Sequence, residues 1–341
     1  MKGRTIILDH LQGRETAALV VDGQLDDLLI DAPDVPRPGA IFRAICDRPL
    51  KGQGGMMLRL PDGETAFLRQ GKGLRPGQPL LVQVTGYASE TKAIPVTDRV
   101  LFKSRYAIVT PGKPGTNISR QITEDDERDR LTGVIRASFD SDFGLILRSS
   151  CAGVGEDEIA EDIEAMLALA EAVTADAEGR DPEALTEGDA PHTVAWREWT
   201  RPSEVVTEPG ALAASDIMDQ IDELRGDAVR LGESVMHVEA TRALVAVDVN
   251  TGSDTSPAAA LKANIAAARA LPRALRLRGL GGQIAVDFVS MSKANRKQLE
   301  QALRAAFKAD AIETSLVGWT TMGLYEMQRK RERLPLSEVL P

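Results

Sequence analysis

The sequence predicts a mixed α/β chain, an α+β multidomain architecture with a small closed β-barrel inserted in its first third. Three observations point there. The 341 residues are too many for one small core and enough for roughly two to three packed units. Residues 40–97 hold short β-rich runs separated by regular turn signals. Residues 236–309 alternate strand and helix patterns, the form taken by parallel strands joined through crossover helices.

Taken in order, Thr5–Leu8, Thr16–Val21 and Asp26–Ile30 are β-rich, with a hairpin turn at Gly13-Arg14. Asp31–Gly39 is proline-rich and reads as a connector at a unit boundary. Short strands follow at Ile41–Cys46, Met56–Leu60, Thr65–Arg69, Pro79–Val84 and Lys92–Val96. Turns separate them at Gly52–Gly55, Pro61–Gly63, Gly71–Gly73 and Arg75–Gly77. This is the pattern of an OB-type barrel. Such barrels bind single strands through a basic groove with stacking aromatics. Phe67, Lys72 and Lys92 are available for that, and Phe67 fits a core position equally well.

Val100–Val109 reads as one strand, Pro111–Gly115 as a turn, Glu124–Ala137 as a helix and Asp142–Ser150 as a strand with a polar end. Gly153-Val-Gly155 opens a helix over Glu156–Ala175. The acids at its start suit the helix dipole and repel a phosphate, so the glycine pair is not read as a phosphate cradle. Residues 176–216 are acidic and carry no legible element. A helix from Ser215, as N-cap, to Leu224 comes next. Strands at Met236–Glu239 and Arg242–Val249 precede a helix opened by Ser256-Pro257, which Pro272 should kink or end. A buried strand at Gln283–Val289 and a helix at Ser292–Ala309 follow.

The net charge of −10 argues at first against a nucleic-acid partner. The charge is uneven, however. From Glu156 to Glu233 acids outnumber bases roughly four to one, and from Arg273 to Arg333 bases dominate. Binding follows the local field within about 8–10 Å rather than the total. The two halves therefore read either as a polyanion-binding end and an acidic end, or as two solvated surfaces of opposite sign. No apolar run approaches the roughly 20 residues that span a bilayer, and no signal-peptide core is present, so a cytoplasmic protein without membrane contact is expected. Cys46 and Cys151 are far apart and form no Cys-x-x-Cys, so free, buried thiols are expected.

The chemistry lies in the last third. Asp248 and Asp287 each follow a Val/Ile/Ala run on strands expected to pair in parallel, so both fall toward the carboxyl edge of the sheet, where such sheets bind ligands. Asn250 is two residues beyond Asp248 and shares its face. Two carboxylates this close repel unless a proton or cation sits between them. Mg²⁺ takes one or two carboxylates, keeps several waters and accepts phosphate oxygens. The pattern is that of a metal-assisted phosphodiesterase. It is also that of two strand-end acids capping loops.

Arg242–Gly252, Leu275–Val289 and Gly323–Arg331 closely resemble the ribonuclease E/G family, as does Ala18–Leu25. Ile118–Ile122, Phe143–Ser149 and Gly153–Gly155 match less strongly, in the right order. The resemblance implies an RNase H-like part at 1–35 and, reduced, at 191–230. It implies an inserted S1/OB barrel at 36–98, a 5′-sensor region at 99–190 and a DNase I-like catalytic part at 231–341. It also implies endonucleolytic cleavage of single-stranded RNA with Mg²⁺, or Mn²⁺ in its place, leaving 5′-phosphates. The family's metal aspartates fall on Asp248 and Asp287 and its supporting asparagine on Asn250. Its RNA-binding residues fall on Phe67 and Lys92 in the barrel and on Arg120, Arg148 and Ser149 at the 5′-end pocket.

Two departures stand out. Thr321 replaces a family arginine, and the zinc-linking Cys-x-x-Cys has no counterpart before Pro341. No structural zinc is therefore expected, and any homo-oligomer would form without a zinc link. Two other readings stay open: a non-catalytic single-stranded RNA-binding protein, and a metal phosphodiesterase acting on another substrate.

Overall fold

In a computed structural model of the chain, which describes residues 3–50, 52, 54–88 and 92–340, the N-terminal β-rich runs form an antiparallel meander. Its strands are β1 (Arg4–Leu11), β2 (Arg14–Val21) and β3 (Gln24–Ile30). The first turn places Gln12 and Gly13 at positive φ, 51° and 79°, the backbone that a two-residue hairpin needs to match the twist of its strands. These strands belong to a compact unit made of Met1–Ala32 and Ser203–Pro341; Pro33–Pro202 form a second.

The second unit begins with the barrel. Strands β4 (Ile41–Leu50), β5 (Gly55–Arg59), β6 (Thr65–Leu68), β7 (Pro79–Val84) and β8 (Ile94–Thr97) pair in the order β4-β5-β6-β8-β7, and a β4–β7 pairing closes the ring. The five predicted strands are all present. Gln53, in the predicted Gly52–Gly55 turn, lies outside the described residues. Alternate side chains such as Ala44, Cys46, Leu58, Leu68, Val82 and Val96 fill the interior.

The single strand expected at Val100–Val109 is two, β9 (Phe102–Lys103) and β10 (Ala107–Thr110). The chain turns between them, where the Ser104 amide donates to the Ala107 carbonyl at 2.9 Å. The expected turn at Pro111–Gly115 is present, and strand β11 (Gly115–Ile118) follows it in residues that carry no strand signal. After helix α1 (Asp125–Ser138) it pairs in parallel with β12 (Gly144–Leu147). Side-chain size decides this approach: a Cβ on Gly144 would stand 1.9 Å from the Lys113 carbonyl oxygen. Helix α2 (Glu156–Ala175) buries Ile159, Ile163, Ala170 and Val173 on one stripe. Cys151 joins the same core, and both cysteines are free and buried. The stretch with no legible element in the sequence contributes β13 (Glu183–Thr186), which extends the barrel sheet beside β4, and helix α3 (Pro191–Glu198).

The first unit resumes with β14 (Glu204–Val206), parallel to β1, and helix α4 (Ile217–Glu223). Ser215 is not the N-cap of this helix. Its hydroxyl donates back to the Leu212 carbonyl at 2.7 Å, and Asp216 takes the cap position. A second sheet then assembles from β15 (Ala228–Leu231), β16 (Ser234–Ala240), β17 (Val245–Asn250), β18 (Gly282–Asp287), β19 (Thr314–Trp319) and β20 (Tyr325–Arg329), in the order β15-β16-β17-β18-β20-β19. Only β17 and β18 run parallel, and helix α5 (Pro257–Leu277) makes their crossover. The Ser256 hydroxyl caps α5, accepting from the Ala259 amide at 3.2 Å. Pro272 does not end the helix, which runs on to Leu277. Its packed, buried face compensates for the backbone bond that proline removes. Helix α6 (Lys293–Ala309) buries Leu299, Leu303 and Phe307 at four-residue spacing, and the short helix α7 (Leu336–Val339) follows the last strand.

Helices α5 and α6 both contribute to the core on one side of this sheet. The strands expected to be buried are therefore buried on one face only. In β17, Val245, Val247 and Val249 point into the core while Asp248 and Asn250 face out.

The basic C-terminal third divides between inward-facing and exposed side chains. Arg276, Arg329 and Arg333 turn inward and pair with Asp27 and Asp310. Arg273 donates to the Leu25 carbonyl and Arg278 to that of Gly226. Much of the apparent basic field is thus spent inside the unit, while Lys293, Lys297, Arg304 and Lys308 stay exposed. No helix among the described residues is long and apolar enough to cross a membrane.

Candidate active site

Asp248 and Asp287 are register partners across the parallel β17–β18 pairing, and both are exposed. Period-two alternation places each carboxylate on the open face, because Val247 and Val249 beside Asp248, and Val286 and Phe288 beside Asp287, are drawn into the core. Asp287 ends its strand, so the pair sits at the carboxyl edge, as the sequence implies. The Asn250 amide nitrogen donates to Asp248 Oδ2 at 2.7 Å and fixes that carboxylate's orientation.

One neighbour of the pair is not foreseen by the sequence. His237 on β16 is the register partner of Asp248 on its other side, which extends the row to His237–Asp248–Asp287 across three strands. Its Nδ1 lies 3.0 Å from Asp227 Oδ2, a hydrogen bond that holds the Asp227 carboxyl below the usual carboxylate range. The only signal for it in the sequence is its position on the strand preceding β17.

The donor set suits a hard cation. Two adjacent carboxylates, open to solvent and with one oriented by an amide, offer oxygen ligands and leave room for water, as Mg²⁺ requires. Among the described residues no group of three or more His, Cys, Asp or Glu side chains is placed to enclose a metal, so any cation here would keep most of its own waters.

The turn between β19 and β20 carries Thr321 and a fully displayed Met322, 87% exposed. A guanidinium stands at this corner although residue 321 is not an arginine. Arg296, on the first turns of α6, lies 4.3 Å from the Trp319 ring centroid and 4.0 Å from the Cβ position of Gly323.

In the other unit, Phe67 lies outside the barrel core and is half-buried, its ring covering the Gly55 backbone. Lys92 is exposed two residues before β8, the strand that pairs with Phe67 through Pro95. Arg120 and the Arg148-Ser149 pair come together at the ends of the parallel strands β11 and β12, where the Ser119 amide donates to the Leu147 carbonyl. Arg120 and Ser149 are exposed there.

Arg148 differs. Its side chain is 15% exposed and turns inward, donating to the Ser104 carbonyl at 2.6 Å, the Arg197 carbonyl at 3.1 Å and Glu198 Oε2 at 2.8 Å. Burial raises the Glu198 pKa. Lys103, Arg148 and Arg197 around it outweigh burial and hold the carboxyl at about 2.

Residues 102–203 and 203–332 match the model of the Ribonuclease E/G family. The chain belongs to that family. The matched segments contain Arg120, Arg148, Ser149, Asp248, Asn250, Asp287 and Thr321, whereas the barrel lies before them. Ribonuclease G of Escherichia coli (strain K12) is 30% identical over 311 residues, covering 78% of this chain and 62% of that protein. Ribonuclease E of Nostoc sp. (strain PCC 7120) is 27% identical, over 76% of this chain and 44% of its own length. Ribonuclease E of Synechocystis sp. (strain PCC 6803) is 28% identical, over 93% of this chain and 53% of its own. The chain thus spans less than two thirds of the length of these Ribonuclease E/G relatives.

Proposed function

We propose that the chain is a metal-dependent endoribonuclease that cuts single-stranded RNA in RNA processing and leaves 5′-phosphate ends. The observation that carries this reading is the pairing of Asp248 with Asp287 on an open sheet edge, in a member of the Ribonuclease E/G family. We assign the sheet of β15–β20 to a DNase I-like catalytic part and the sheet of β1–β3 with β14 to an RNase H-like part.

Asp248 and Asp287 would hold Mg²⁺, or Mn²⁺ in its place. When bound, such a cation supplies Lewis-acid polarisation of a phosphate and lowers the pKa of water. The chain's own residues set up the rest. Asn250 holds Asp248 in one orientation through its amide. His237 stands beside the pair, on the same face, within reach of the same substrate. Hydrolysis forms a bond from a water oxygen to phosphorus and breaks the bond to the 3′-oxygen, which leaves as the 3′-hydroxyl. Phe67 and Lys92 offer a stacking surface and a cation to the strand, and Arg120 and Ser149 offer donors to phosphate. The reading places the protein in the cytoplasm, where its RNA is.

The test is incubation of a 5′-monophosphorylated single-stranded RNA with Mg²⁺ and either the parent or its Asp248→Asn variant. The parent should cut and the variant should not. No cleavage by the parent, or equal cleavage by both, overturns the proposal.

A further inference from the structure

Among the described residues with markedly exposed large apolar side chains, Trp196 is the only aromatic, 56% open to solvent. Its helix α3 is anchored through Pro191 and Ala195, which are buried, so the next position projects outward. One face of the indole is covered: the Arg105 guanidinium lies 4.0 Å from the ring centroid and also donates to the Trp196 carbonyl. Arg105 is itself held in place. Its carbonyl accepts from the Ser150 hydroxyl and, at 3.3 Å, from Arg148 Nη1. The stacked pair is thereby tied to the end of β12, where Arg120 and Ser149 are exposed.

We infer that Trp196, backed by Arg105, is a stacking platform for an unpaired nucleobase of single-stranded RNA. A flat π surface with a cation beneath it and hydroxyl and guanidinium donors alongside matches what a base and its phosphate present. The nearby carboxylates do not oppose this, because Asp189 and Glu198 are ion-paired with Arg197 and with Lys103, Arg148 and Arg197. A single exposed tryptophan without a ligand is the competing description, and it predicts no effect on RNA binding. The platform rests on the reading that the chain binds single-stranded RNA.

The experiment measures the affinity of the full chain for a fluorescent oligoadenylate by anisotropy, in the presence of a chelator. The parent is compared with Trp196→Ala, Trp196→Leu and Trp196→Phe. Losing one base stack should weaken binding roughly tenfold in the Ala and Leu variants. The Phe variant, which keeps a ring, should recover most of it. The slope of affinity against salt should stay that of the parent, because no phosphate contact is lost. A duplex of adenylate with uridylate should bind parent and variants alike, since its bases are already stacked. Equal oligoadenylate affinity in parent and Trp196→Ala overturns the platform and leaves the RNA reading standing. A parent that binds no single-stranded RNA overturns both.

Discussion

Asp248 and Asp287 face each other across the one parallel pairing of the β15–β20 sheet, on its solvent side. Nothing in the core depends on their charge, and bringing two carboxylates together costs stability when no cation is present. Asp248→Asn and Asp287→Asn should therefore abolish cleavage while leaving the melting temperature unchanged or slightly raised. Added Mg²⁺ should raise the melting temperature of the parent, because it binds only the folded site, and should not raise that of either variant. A calorimetric scan of the three proteins with and without Mg²⁺ checks this. A Mg²⁺ stabilisation that survives in the variants would place the cation elsewhere.

Asp310 and Arg329 make the opposite case. Their side chains are 1% and 0% exposed and bonded at 2.7 Å, and Arg329 also donates to Thr314 Oγ1 at 2.9 Å. Asp310 serves Arg276 as well. Asp310→Ala would strand buried guanidinium charge, which costs about 3–5 kcal/mol. Urea unfolding should show this as a lower midpoint with an unchanged slope.

These two sites differ in how much of them the sequence makes legible. The row of Val245, Val247 and Val249 with Asp248 between them follows from alternation alone, so the strand, its open face and the position of the acid are all written in the local pattern. The capping of α5 by Ser256 is legible for the same local reason, as is the start of α6 at Ser292, whose hydroxyl accepts from the Asn295 amide. The fate of Arg276, Arg329 and Arg333 is not. An arginine is written identically whether it faces solvent or a buried aspartate 306 residues away, as Arg333 does with Asp27. Strands β11 and β13 escape because each is four residues long and set in turn-like or acidic sequence, and only long-range pairing makes them strands. Helix α3 and Trp196 lie in the same unreadable stretch as β13.

Arg148 bears on the sensing of RNA ends. Its resemblance-derived role is to grip a 5′-phosphate, yet its guanidinium is already committed to three backbone carbonyls and to Glu198. A phosphate would have to displace a carboxylate held by three cations. RNA with a 5′-monophosphate and RNA with a 5′-hydroxyl should therefore be cut at nearly the same rate. Single-turnover rates on the two substrates check this, and a large preference for the monophosphate would show that the Glu198 contact gives way.

Glu198 also sets an acid limit on its unit. Burial raises its pKa, but Lys103, Arg148 and Arg197 lower it more, to about 2 from an ordinary value of 4.5. A carboxyl with a lower pKa in the folded state binds fewer protons folded than unfolded over that interval. Its stabilising contribution is whole above about pH 4.5 and is lost as pH falls toward 2. Asp27 in the other unit is likewise held below the usual carboxylate range, where burial is opposed by Arg333 and Arg276, so acid lability alone does not identify Glu198. The difference between parent and Glu198→Gln does. The variant should unfold at lower urea near neutral pH, where three cations have lost their carboxylate. The gap should narrow steadily below pH 4.5 as the parent's own Glu198 takes up its proton. Urea midpoints of both proteins across that range test this, and a gap independent of pH would mean that Glu198 contributes by packing rather than by charge.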